Sequence, residues 1–370
     1  MAHRPDILPL TSLRFFFALA VFLHHCHFLT RSDDVGAAWV YHHFFAEGYI
    51  GVTFFFLLSG FILAYSYRDR LVSGAVSWRF FYQARVARIY PLHLLTLLAA
   101  VPVHREDLTD GGVLYAGFKM LSQLTLTQSY WGIQDIYNAF NSPAWSISTE
   151  MFFYLMFPLL IAGMAYGFRR YGERVLLAGL ALLLVPLAVP FVPEAWHHAV
   201  FYIHPVTRLA DFTLGILLWR FFTSRSAPQE LSRRSYDLLE VGALLLLAAF
   251  IWFRQSVPEV DRYAAYYWLP MGLTVLVFAW QRGWVSRLLS VRWLVYLGEI
   301  SFALYMVHRP LMRYYFKVKQ KVFGPEVGYL DAVVLLCVAL AVSHLCYQYF
   351  EKPAARWVRS LGTKKARTNV

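Results

Sequence analysis

Charge is scarce in this chain. Asp, Glu, Lys and Arg make up 15% of its 370 residues, against 59% hydrophobic and 18% aromatic, a balance that belongs to lipid-buried helices and argues against a soluble globular domain. Cysteine is scarcer still. Cys26, Cys337 and Cys346 are odd in number and lie inside apolar runs, where they serve as small core hydrophobes and offer no disulfide framework. No internal repeat is visible, and no separate soluble domain. The first apolar run lacks the small-residue cleavage site of a removed signal peptide and is followed by many others, so it reads as a retained helix.

What is present is apolar length. Runs of about 17 to 25 residues let a helix cross ~30 Å of hydrocarbon; they lie near 10–29, 47–66, 88–103, 149–168, 174–192, 205–222, 238–253, 264–281, 299–316 and 329–350, the third being short. The expected fold is all-α: a polytopic transmembrane helix bundle of about ten spans with both termini cytoplasmic. Residues 1–352 would form the membrane domain and 353–370 a basic cytoplasmic tail. Segment 113–127, VLYAGFKMLSQLTLT, is too weak for a span and is expected in the interface or dipping into the protein. This topology puts most of the 34 lysines and arginines on the inner side, as the positive-inside rule asks. The last outer loop breaks the rule with Arg313, Lys317, Lys319 and Lys321. Either that loop meets an acidic partner or the ninth boundary lies elsewhere. The net charge of +12 reads as topology and contact with the lipid bilayer; the cations are spread over short loops and form no patch for nucleic acid.

Polar groups inside the apolar runs carry the functional signal. In LRFFFALAVFLHHCHF, eleven residues separate Arg14 from His25, which at 100° per residue is within about 20° of three turns and about 16 Å along the axis. His24 points about 80° away. A guanidinium at that depth costs about 2.5 to 3.5 kcal/mol on insertion scales and normally lines a cavity or has a partner; the plainer reading is snorkelling to headgroups. In HHCH, His24 and His27 share a face that His25 does not, so a metal site is disfavoured. FYQARVARIYP places Arg85 and Arg88 one turn apart at the inner mouth of the third run, a pair suited to phosphates and equally to topological anchoring. SPAWSISTEMFFYLMFP opens the fourth helix from outside. The plainer reading is a capped helix start, with Ser146 or Ser148 as cap, Glu150 in the first turn, Trp145 at the interface and Tyr154 following; the functional one puts Glu150 in reach of a histidine of the first helix. GEISFALYMVHRP puts Glu299, Ser301, Tyr305 and His308 into one span. A polar cavity between helices accounts for all of these together.

These segments, with GYIGVTFFFLLSGFILAY, RLADFTLG and YFEKPAARW, occur in an order that resembles the integral-membrane acyltransferase-3 family, bacterial O-acyltransferases of polysaccharides and related envelope or small-molecule acceptors. The likeness runs from Leu10 to about Trp357. It maps the family's arginine and histidine eleven apart onto Arg14 and His25, its arginine pair onto Arg85 and Arg88, and its Trp-Ser-x-Ser-x-Glu motif onto Trp145, Ser146, Ser148 and Glu150. The late serine-tyrosine helix ending in histidine falls on Ser301, Tyr305 and His308. Phe302 stands where a second tyrosine is frequent, and Thr53 where an acidic residue is. Some members carry an added esterase-like domain, which is not expected here, since little chain follows the tenth run.

The resemblance implies acyl transfer from acyl-CoA, acetyl-CoA by family default, used as a co-substrate with no tightly bound cofactor. An alcohol needs a base to become a nucleophile at neutral pH. His25 takes that role or carries the acyl group transiently, and Glu150 orients it as a carboxylate does in a triad. Arg14, Arg85 and Arg88 bind the donor's phosphates from the cytoplasm. Trp145, Ser146, Ser148, Tyr154, Ser301, Tyr305 and His308 line the cavity. The acceptor, a glycan or lipid-linked glycan, arrives from outside, in the bacterial inner membrane and in company with polysaccharide biosynthesis machinery. A transporter or flippase of a glycolipid would want a similar cavity but would release no coenzyme A. A purely structural partner would tolerate loss of His25.

Overall fold

A computed structural model describes residues 5–32, 34–172, 179, 181–224 and 231–357, the side chains of Phe168 and Leu182 excepted. The described residues are helical throughout, without strands. In chain order the principal helices are α1 (Leu8–His24), α2 (Gly51–Val72), α3 (Trp78–Ala100), α4 (Gly112–Thr125), α5 (Ala144–Tyr171), α6 (Pro205–Ser224), α7 (Arg233–Trp252), α8 (Ala265–Ala279), α9 (Ser301–Val322) and α10 (Tyr329–Cys346). Six stretches are long and apolar enough to cross a bilayer: Leu8–Arg31, Val35–Val72, Trp78–Val103, Ala144–Tyr171, Arg233–Ser256 and Tyr329–Trp357. The expected number was ten. Helix α6 carries Arg208, Asp211 and Arg220, and α9 holds five cations, Arg309, Arg313, Lys317, Lys319 and Lys321, so these two are not uniformly apolar, while α8 is apolar but only 15 residues long. In the run at 174–192, residues 174–178 and 180 lie outside the described residues, and the rest contains a 3-10 segment, Leu182–Phe191, with Pro186 and Pro190 inside. The tail beyond Trp357 is outside them too.

The chain divides into two compact units. The first comprises Met1–Phe17, Ile50–Trp78 and Phe152–Glu299. Its centre is the crossing of α2 and α6, where a Cβ on Gly60 would lie 2.0 Å from the Phe212 carbonyl oxygen and one on Gly215 2.0 Å from that of Leu57. Only glycine lets the two backbones approach this closely, which is how membrane helices gain packing without a hydrophobic driving force. Phe212 stacks on Phe153 at 4.9 Å. Beside the crossing, Arg208 is fully buried, with its charge paired and both terminal amino groups hydrogen-bonded. It donates to the Tyr263 carbonyl at 2.6 Å and to Thr53 Oγ1 at 2.8 Å, pairs with Asp211 at 2.9 Å, and lies over Phe56 and Tyr202. A buried guanidinium is tolerable only when its charge and donors are met in this way. Thr53, a departure from the family pattern, is thus a partner of Arg208.

The second unit comprises Ala18–Tyr49, Arg79–Met151 and Ile300–Val370. Here α3 and α9 run in the same direction. Arg88 lies over Phe302, Tyr314 donates to the Ala99 carbonyl, and Lys317 to that of Val103. Helix α10 returns antiparallel, with Asp331 bonded by Tyr315 and Lys319 of α9. The cation-rich segment 313–321 is therefore not a loop. Helix α9 extends through it to Val322, because Arg and Lys end an apolar run without ending a helix, and Asp331 is an acidic partner within the chain. Segment 113–127 forms α4, too short at about 21 Å to span. Its buried face is Ala116, Lys119, Ser122 and Gln123, while Val113, Leu114 and Leu121 are exposed. Lys119 is held by Asp135 at 3.1 Å and Asp107 at 3.8 Å.

Candidate active site

The segment Asn141–Ser146 ties the start of α5 to α9. Asn141 Nδ2 donates to the Met306 carbonyl at 3.0 Å, the Tyr305 hydroxyl meets Ser146 Oγ at 2.7 Å, Ser146 donates to the Pro143 carbonyl at 2.9 Å, and Arg309 Nε donates to Ser142 Oγ at 3.3 Å. Each neutral bond of this kind is worth about 1 kcal/mol net, and together they fix both the rotation and the height of α9. Ser146 and Ser148 are thus not helix caps. Helix α5 begins at Ala144, and Ser148 bonds Ser129 Oγ at 2.8 Å and the Leu126 carbonyl at 2.7 Å. Trp145 is buried in the protein and does not sit at an interface. Glu150 lies nearly two turns into α5, half-buried and close enough to Tyr305 to act on it electrostatically.

The clamped α9 presents His308 to His25, with His308 Nε2 3.1 Å from His25 Nδ1 and ring centroids 4.8 Å apart. His25 immediately follows the last residue of α1, and its Nδ1 also lies 2.9 Å from the Val21 carbonyl. A carbonyl accepts only, so Nδ1 of His25 carries the proton. His308 Nδ1 lies 3.2 Å from the Leu304 carbonyl, which puts that ring's proton on Nδ1 as well and leaves its Nε2 to accept. The partners therefore assign one tautomer to each ring. His25 Nε2 is left unprotonated, with no partner among the described residues, on a half-buried side chain. Glu150, the expected orienting group, is not among the hydrogen-bond partners of His25; the side chain that meets His25 Nδ1 is His308.

The surroundings of His25 are set by residues 41–48. Tyr41 donates to the His24 carbonyl and His24 Nδ1 meets that of Ala46, both at 2.8 Å. A Cβ on Gly48 would lie 2.0 Å from the Ala20 carbonyl oxygen, so this segment lies directly against α1.

Arg85 and Arg88 are not at a helix mouth. Helix α3 starts at Trp78 and continues through Pro91, so both stand within it. Arg88 pairs with the buried Glu351 at 3.0 Å and lies 5.6 Å from the Phe302 ring, while Arg85 lies 5.9 Å from that of Phe81. Six residues of α9 separate Phe302 from His308, so Arg88 stands about 9 Å along the helix from the histidine pair. Ser301 is fully buried at the start of α9, and Glu299 ends a separate helix, Arg292–Glu299. Arg14 and Tyr154 belong to the first unit, Arg14 half-buried and Tyr154 buried. Three residues of the cluster had no role in the sequence reading: Glu351, Ser142 and Arg309. The first two stood inside or beside quoted motifs, and Arg309 was marked by its charge within an apolar run.

The described residues are helical, six stretches have bilayer length, and a histidine pair lies beside a clamped helix, the outline of a membrane protein with a polar centre. Comparison supplies the family: residues 9–348 match the acyltransferase-3 family model, described as an acyltransferase domain, and the chain belongs to that family. It is 34% identical to acyltransferase MdmB of Streptomyces mycarofaciens, over 94% of this chain and 91% of that protein. It is 22% identical to O-acetyltransferase OatA of Staphylococcus aureus, over 95% of this chain and 58% of that protein, and so spans little more than half of the second relative's length. No solved structure matches it.

Proposed function

We propose that this protein transfers an acyl group, acetyl by the family default, from cytoplasmic acyl-CoA to a hydroxyl of an envelope glycan or lipid-linked glycan at the bacterial inner membrane. The observation that carries the reading is the tautomer of His25. With Nδ1–H shared between Val21 and His308, the lone pair on Nε2 is the one free to take the acceptor's proton. The acceptor oxygen then attacks the thioester carbonyl, the C–O bond forms as the C–S bond breaks, and the proton on Nε2 passes to the departing thiolate. The imidazolium formed in between is stabilised by its two acceptors, the Val21 carbonyl and His308 Nε2.

Arg85 and Arg88 are the proposed contacts for the donor's phosphates, and their spacing of about 9 Å from the histidines along α9 suits a carrier whose charged end and thioester are held apart by a flexible arm. Arg14 joins them on the resemblance alone. Glu150 acts toward Tyr305 and keeps the clamp that holds α9. The name of the OatA relative favours a hydroxyl acceptor and an acetyl group. The test is His25→Ala in membranes, followed by coenzyme A release and by mass analysis of glycans and lipid-linked intermediates for one missing acyl increment per repeat. Turnover close to that of the unaltered protein rejects the base assignment.

A further inference from the structure

Helix α9 carries two guanidiniums that the acyl-transfer reading leaves unused. Arg309 follows His308 directly and is half-buried. Its Nε donates to Ser142 Oγ, and its two terminal amino groups bond to none of the described residues. Arg313 lies one turn further along the same face, exposed, and also without a partner among them. Lys317, the next turn, donates to the Val103 carbonyl. Like charges at this spacing repel, and an arginine within an apolar run is costly, so the arrangement opposes stability.

Two other cations of this unit have been given acids: Lys319 has Asp331, and Lys119 has Asp107 and Asp135. Arg208, an in-run arginine of the first unit, has Asp211. Among the described residues, neither Asp107 nor Glu106 forms an ion pair with Arg309 or Arg313: Asp107 accepts from the Phe140 amide at 2.7 Å, and Glu106 lies 3.6 Å from His104. Ser142 fixes the root of the Arg309 guanidinium and leaves its tip free, which is how an oxyanion receptor is built.

We infer that Arg309 and Arg313 bind an anionic group of the acyl acceptor, a carboxylate or phosphate on the glycan, and hold the neighbouring hydroxyl at His25. The inference rests on His25 as the base. It narrows the acceptor to an acidic one. A bilayer headgroup offers the same phosphate chemistry, but Arg309 is anchored through Ser142 beside the histidine pair, where an acceptor must come.

The experiment uses the full chain in nanodiscs of zwitterionic lipid, with methyl glucuronide, methyl glucoside and inorganic phosphate as probes and thermal stability as the readout. Glucuronide and phosphate should protect saturably and glucoside should not. Arg309→Gln with Arg313→Gln should weaken glucuronide protection about tenfold or more per arginine, Arg309→Lys should retain part of it, and Arg85→Gln with Arg88→Gln, which removes the proposed donor site, should leave it in place while lowering protection by phosphate, which that site also attracts. Equal glucuronide protection of the Arg309/Arg313 variant, loss of glucuronide protection only in the Arg85/Arg88 variant, or no saturable protection overturns the inference. So does abolition of the effect in nanodiscs of anionic lipid, which would assign the stripe to headgroups. Because His25→Ala should bind glucuronide normally, turnover in that variant would sink the base reading while leaving the binding result intact.

Discussion

The two histidines of the site should respond to mutation very differently. His25→Ala removes the proposed base and should lower kcat by about 10²- to 10⁴-fold. His308 acts through His25. Its removal leaves the Val21 carbonyl 2.9 Å from His25 Nδ1, so the productive tautomer survives and only one of two bonds is lost. A neutral hydrogen bond is worth about 0.5 to 1.5 kcal/mol net, which corresponds to a kcat about two- to tenfold lower with little change in the KM of the donor. Two substitutions separate positioning from simple packing. Glutamine at 308 can place an oxygen acceptor near the position of Nε2, whereas leucine fills similar space and accepts nothing. Release of coenzyme A in membranes, measured with the native acceptor, should therefore rank the unaltered protein, His308→Gln, His308→Leu and His25→Ala in descending order. If the Gln and Leu variants are equally impaired, the hydrogen bond carries nothing. If either is as inactive as His25→Ala, His308 itself moves the proton and the assignment made here is reversed.

Other outcomes follow from the same contacts. Arg88→Ala should leave the buried Glu351 carboxylate without its guanidinium and cost about 3 kcal/mol of stability, at the low end for a buried pair because Arg88 is partly exposed. Adding Glu351→Gln should restore most of the melting temperature in detergent, leaving the donor KM to report the phosphate role; a single variant as stable as the parent would refute the pairing. Gly60→Ala puts a methyl 2.0 Å from the Phe212 carbonyl oxygen and should cost about 1 to 3 kcal/mol or more, read as a lower yield of monodisperse protein, whereas unchanged thermal stability would mean that the α2–α6 crossing is looser than described. His104, just beyond α3, has its pKa pushed down from 6.5 to about 4 by burial first, then by Arg313, with Glu106 opposing. The unfolded chain thus takes up the proton more readily, so stability is intact above about pH 6.5 and declines as pH falls toward 4. Burial raises the pKa of Asp107, with the Phe140 amide and Lys119 opposing, and its shift works in the opposite sense at the lower end of the range. His104→Asn should flatten the decline between pH 6.5 and 4 in a series of thermal melts, and a parallel decline in the variant would remove His104 as its source.

The residues that sequence reasoning found are those whose presence costs something in lipid. Arg14, His25, Arg85, Arg88 and His308 all stand out against apolar neighbours, and that contrast needs no structure. Helix limits were less legible for the same reason. The third run seemed to begin at residue 88 because Arg79, Arg85 and Arg88 lower its hydropathy, yet the backbone is helical from Trp78. The ninth seemed to end near 316 because lysines follow, yet α9 continues to Val322. Hydropathy reports the solvent along a helix, and the backbone hydrogen bonds that define it are indifferent to side-chain charge.

Partnership was not legible at all. His25 and His308 are 283 residues apart, and no local spacing announces the pair. Glu150 was the favoured partner because a carboxylate beside an imidazole is the commoner arrangement, whereas the contact is made by the helix that Ser146 and Tyr305 clamp. Arg208 and Arg309 make the same point with opposite outcomes. Each is one arginine inside an apolar run, although Arg208 has an acid one turn on, at Asp211, and Arg309 a second arginine, at Arg313. Thr53, Asp211 and the Tyr263 carbonyl surround the first, spending its charge on holding the first unit together. The second has a serine at its root and nothing among the described residues at its tip. Intramembrane charge marks where to look, but only the identity of the partner separates an arginine that holds the fold from one that waits for a ligand.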